Sequence, residues 1–198
     1  QAHAALAPAA AGPWTGAALY KSVDGGSTYT AIAEALTQAT LGTVASALGN
    51  FTGGNVFDET NTITVVLDDA DAELVSTTEA AVQNGANLCA LGSASAGWEI
   101  LQFRTATLTA PQTYALSGLL RGRFGTEWAM STHGASETFV DLATVANVNA
   151  PFAELYASRK YKAVTFGSTL TAATAQDFAN NGVALKPYSP VILGGGRD

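Results

Sequence analysis

Apolar and polar positions alternate along most of this chain, and few windows repeat apolar residues at the three-to-four spacing of an amphipathic helix. Alternating or β-branched runs predict strands at 17–21, 29–33, 39–48, 62–67, 86–91, 98–107, 113–120, 138–142 and 155–166. In the longest pair, Leu101, Phe103 and Thr105 share one face of the first strand, and Tyr114, Leu116 and Leu120 share one face of the second. A short loop around Pro111 and Gln112 joins them. The best helix is 77–84, where Thr77 or Thr78 caps the first turn, Glu79 suits it, and Asn84-Gly85 stops it. The expected fold is mainly β, an antiparallel β-sandwich or irregular barrel of about eight to ten strands, with one or two short helices.

The ends set the domain organisation. Residues 1–12 are rich in Ala, broken by Pro8, and read as a flexible N-terminal tail. Residues 13–187 form the β domain, and 188–198, with Gly194-Gly195-Gly196, read as a linker to a following module. The chain begins at Gln1 without a basic leader, so it reads as a piece of a longer polypeptide.

Composition narrows the partners. Only 13 % of residues are charged, against about 25 % in an ordinary soluble domain, and the net charge is −7. An acidic surface releases no counterions from phosphates, so nucleic acid is excluded as a partner. No apolar run reaches the length of a spanning helix, so no membrane insertion is expected. Cys89 is alone in an apolar context and reads as a buried structural thiol.

Candidate chemistry is sparse. His3 lies in the tail and His133 in a loop. No Gly-x-Ser-x-Gly elbow accompanies them, so no catalytic residue is assigned. Asp68, Asp69, Asp71 and Glu73 cluster after a strand without the glycine and twelfth-position Glu of a calcium loop, and read as a solvated acidic turn. A glycan-cleaving enzyme using those carboxylates is the weakest reading. No metal or cofactor is expected. Trp14, Trp98 and Trp128 are candidate glycan contacts. The segment Ser22, Asp24, Gly25, Gly26, Thr28, Tyr29 resembles the Asp-box hairpin of sialidases, whose role in that family is structural.

The remaining feature is Arg121-Gly122-Arg123, set directly after an apolar strand. Guanidinium forks there are expected to pair with Glu127 and nearby carbonyls and to brace the strand's exit. Thr126 is expected to cap a short helical turn over 127–130.

Trp98-Glu99-Ile100-Leu101-Gln102-Phe103 and Leu119-Leu120-Arg121-Gly122-Arg123-Phe124-Gly125-Thr126-Glu127 resemble the tail-tip proteins of siphophages. The pattern is that of the baseplate hub, or host-specificity, protein of gene transfer agents and related tailed phages. Phe124 stands where that pattern commonly has a second Arg, and Trp98 where it has Gly. The resemblance covers roughly residues 80–193. It implies a non-enzymatic structural and interaction module of a virion tail tip, with other tail-tip or baseplate proteins as partners and host cell-surface polysaccharide as a further one. The alternative is a carbohydrate-binding β-sandwich module recognising cell-surface glycan.

Overall fold

The computed structural model describes residues 2–8, 14–93, 96–131, 133–182 and 185; the expected linker at 188–198 and part of the expected tail lie outside them. Thirteen strands and one α-helix are present among the described residues. They are β1 (Ala2–Ala4), β2 (Ala17–Ser22), β3 (Thr30–Ala35), β4 (Leu41–Val44), β5 (Phe57–Asp58), β6 (Ile63–Leu67), α1 (Glu79–Gln83) and β7 (Leu88–Ser93). There follow β8 (Gly97–Ala110), β9 (Thr113–Leu120), β10 (Thr138–Asp141), β11 (Ala146–Val148), β12 (Ser158–Thr165) and β13 (Gln176–Ala179).

Six of these strands close an antiparallel barrel. The order β9-β6-β4-β10-β7-β8 returns to β9 through the β8–β9 hairpin. Closure still leaves a free edge where β9 runs on past β6. Strand β8 serves two neighbours: residues 97–102 pair with β7, and residues from 102 onward pair with β9. The inward positions of the alternation fill the interior with Ile63, Val65, Leu67, Leu91, Leu101, Phe103, Leu116, Leu119 and Phe139. At roughly 1.5–3 kcal/mol for each large side chain removed from water, this cluster is the main source of stability.

Strand β5 is an annex to the barrel. It pairs with the end of β9 through Phe57 with Leu120 and Asp58 with Leu119, on the edge that β6 occupies further along. Residues 49–61 are expected as a loop; the open edge of β9 imposes this two-residue strand on them.

A second layer consists of the sheet β13-β12-β2-β3 and the pair β1-β11. Leu6, Ala17, Leu19 and Val148 are buried between them, with Trp14, Ile32 and Tyr161 packed alongside. The expected tail therefore contains a strand, with His3 opposite Asn147. Helix α1 is capped as expected, Thr78 accepting the Ala81 amide, and Asn84 closes its C-terminus. No helix among the described residues is long and apolar enough to cross a membrane.

Candidate functional site

The end of the barrel where β9 exits holds a buried cluster of charged groups. Extending the inward face of β8 back from Leu101 by two residues reaches Glu99, which is fully buried. Its Oε1 accepts from Arg121 Nε at 2.6 Å and from the Gly122 amide at 2.9 Å. Its Oε2 accepts from Arg121 Nη2 at 2.7 Å, and His133 Nε2 lies 2.8 Å away. The arginine fork thus meets the carboxylate side-on with two parallel bonds, the strongest geometry available to this pair.

The cluster extends in both directions. Arg121 Nη1 donates to the Gly49 carbonyl at 3.1 Å and stands 3.5 Å from Asp58 Oδ2. Asp58 in turn accepts from the Thr60 and Asn61 amides and from Asn61 Nδ2. On the other side His133 Nδ1 lies 2.6 Å from Glu137 Oε2, while Glu137 Oε1 accepts the Gly134 amide at 2.9 Å. His133 is anchored through its backbone, exchanging two hydrogen bonds with Leu48 at 3.0 Å each.

Chemistry fixes the charges. An ionised carboxylate only accepts hydrogen bonds. An imidazole lying between two of them donates from both nitrogens, so His133 is an imidazolium. The hydrogen bond to Glu99 raises its pKa; burial opposes this, and Glu137 adds to the rise. Burial works to raise the Glu99 pKa, but the bonds from His133 and Arg121 outweigh it and hold the carboxyl below its ordinary value. The row of contacts runs Asp58, Arg121, Glu99, His133, Glu137, with acidic and basic side chains alternating throughout.

Gly122 makes the turn possible. Its φ is +62°, and a Cβ there would come within 2.6 Å of Met130 Sδ and 3.0 Å of Glu127 Cα. Only glycine accommodates this backbone while delivering its amide to Glu99.

These contacts correct three expectations. Arg121 pairs with Glu99 across the barrel wall, not with Glu127, which sits in the 3-10 turn Glu127–Ala129. Arg123 donates to Asn55 Oδ1 at 2.6 Å. Thr126 caps nothing with its side chain; its hydroxyl donates to the Arg123 carbonyl at 2.7 Å and accepts the Ile100 amide at 2.9 Å. Sequence reasoning assigns no role to Glu99, Asp58 or Glu137 and places His133 only in a loop. The inward register shared with Leu101 was the available signal for Glu99, whereas nothing local marks His133.

The other expected residues fall elsewhere. In the Ser22–Thr28 turn, Asp24 accepts from Ser22 Oγ at 2.7 Å, from the Ser27 and Thr28 amides, and from Thr28 Oγ1 at 2.6 Å. Those bonds, the Thr28 hydroxyl first, push its carboxyl well below the carboxylate range. Gly25 and Gly26 take positive φ, and the Gly26 amide donates to Ser22 Oγ. Trp14 donates Nε1 to the Leu36 carbonyl and packs on the second layer. Trp98 and Trp128 are partly exposed, and the Trp128 ring lies against Gly97 beside Trp98. Cys89 is buried, and burial raises its thiol pKa. Asp69 bonds to Gln38 and to the Asp71 amide. Among the described residues no group of three or more His, Cys, Asp or Glu is placed to hold a metal ion.

Residues 39–140, which span five barrel strands, β10 as far as Val140 and every member of the charged cluster, match the family described as Rcc01698-like, C-terminal. The chain belongs to this family. It is a family associated with gene transfer agent proteins. No curated protein matches the chain. The Rcc01698-like match starts before β4 and ends within β10, so it follows the barrel and leaves out the sheet β13-β12-β2-β3.

Proposed function

We propose that this chain is a non-enzymatic structural and interaction module of a phage or gene-transfer-agent tail tip, supporting assembly and host-surface recognition from within the virion. The observation that carries this reading is the Rcc01698-like match over the barrel. The resemblance of 98–103 and 119–127 to baseplate hub proteins supports the finer assignment. The charged cluster is consistent with it, because Arg121, Glu99 and His133 direct their bonds at one another and brace the barrel end.

Immunogold labelling of purified particles with an antibody raised against this chain tests the proposal. Label at the tail end distal to the head is expected. Label confined to the soluble lysate fraction, with bare particles, would contradict it.

A further inference from the structure

The segment 133–137 is fastened to the barrel at both of its ends. At the far end the Ser136 amide donates to the Val44 carbonyl at 2.7 Å, and the Val44 amide donates to the Glu137 carbonyl at 2.9 Å. At the near end His133 exchanges two backbone bonds with Leu48, and its ring sits between Glu99 and Glu137. Between the two ends Gly134, Ala135 and Ser136 are exposed. Ser136 holds φ at +73°, a left-handed backbone uncommon for a non-glycine residue. Such a backbone persists when its surroundings impose it, so the two fastenings hold the segment in shape.

The charges around the ring make the near fastening depend on one proton. Glu99, on β8, stands 2.8 Å from Nε2, and Glu137, ahead of β10, stands 2.6 Å from Nδ1. Arg121, after β9, and Asp58, in β5, lie behind Glu99. Both carboxylates are themselves held. Glu99 accepts from the Arg121 fork and the Gly122 amide, and Glu137 accepts from the Gly134 amide. A neutral imidazole has one N–H and one lone pair. Loss of a proton therefore sets a lone pair against a fixed carboxylate oxygen at one of these two short contacts. His133 is buried, so water screens that repulsion poorly. We infer that His133 is a pH-operated latch: losing its proton releases the segment from Leu48 while the barrel stays folded, with the Val44 bonds as the hinge. The inference is separate from the tail-tip reading, whose test reports location in the particle and not local opening.

Amide hydrogen exchange on the whole chain, followed by NMR from about pH 6 to about pH 9 and corrected for base catalysis, tests the inference. The Leu48 and His133 amides are expected to be less protected than those of β6 at every pH. Their opening is expected to grow by up to about tenfold per pH unit above about 6.5, where the released imidazole has lost its proton and the latched one has kept it. The growth ends once pH passes the folded value, which lies above the ordinary one. His133→Gln has no titrating ring, so its Leu48 amide is expected to open equally at every pH. Glu137→Gln removes one of the two carboxylates and is expected to end the growth at a lower pH. A flat profile in the unmodified chain, or an undiminished rise in His133→Gln, overturns the inference. So does an unmoved upper limit in Glu137→Gln. Exchange of the Leu48 and His133 amides at the same protection as β6 would overturn it too, because only unfolding of the whole barrel would then free them.

Discussion

The Asp24 turn and the Arg121 cluster each commit one charged side chain to several hydrogen bonds, but they draw their partners from different places. Every partner of Asp24 lies between Ser22 and Thr28, and the carboxylate faces water. The partners of Arg121 come from the segments holding Gly49, Asp58 and Glu99, and the chain of contacts continues to His133 and Glu137. A local turn forms from a short window of sequence, and solvent competes for each of its bonds. A buried cluster needs the barrel closed before its members meet. It then resists opening, because separating the members leaves charges without water.

That contrast predicts a graded set of responses. Glu99→Ala leaves Arg121 and His133 buried without their shared carboxylate. It is expected to lower unfolding free energy by about 3–5 kcal/mol, read from urea titration; a loss under about 1 kcal/mol would refute burial of the pair. Gly122→Ala forces a Cβ onto Met130 and Glu127 at positive φ and removes no partner. Its expected cost is about 1–3 kcal/mol, and an unchanged urea midpoint would show that the turn relaxes freely.

The pH response sharpens the comparison. His133 has a raised folded pKa, so its contribution is complete below the unfolded value of about 6.5 and is lost as pH rises through the folded value. Glu99, with a lowered folded pKa, contributes above its unfolded value and loses that contribution as pH falls through the folded one. Stability from the cluster is therefore greatest between the two. His133→Gln is expected to flatten the alkaline side of the urea-midpoint profile, and an unaltered slope there would exclude His133 as its source. Asp24→Asn should give the smallest change of the set, with faster amide exchange confined to residues 25–28. A melting-temperature drop as large as that of Glu99→Ala would erase the distinction between the two regions.

The same contrast explains what the sequence discloses. The β2–β3 hairpin, helix α1 and the β8–β9 pair follow from signals within a few residues: Asp-Gly-Gly, a Thr cap with an Asn-Gly stop, and two alternating runs across Pro111-Gln112. Strands β1, β5, β11 and β13 have two to four residues each, and a partner strand decides them more than their own propensity. The same limit applied to the cluster. Arg121 stands out by composition and position, and the nearest acidic partner along the chain is Glu127, six residues on. Glu99 lies 22 residues back, brought opposite by the hairpin. The barrel closure could not be read locally either, since it requires β8 to pair on both sides.

The central claim is that Arg121 and Glu99 act as one buried brace, and a double-mutant cycle measures it most directly. Urea unfolding of Glu99→Leu, Arg121→Met and the double variant gives the coupling between the two sites. The expected coupling is about 2–3 kcal/mol, with the double variant less destabilised than the sum of the singles because no uncompensated charge of this pair remains buried. Additive losses, within about 0.5 kcal/mol, would contradict the brace and show that Arg121 and Glu99 contribute independently.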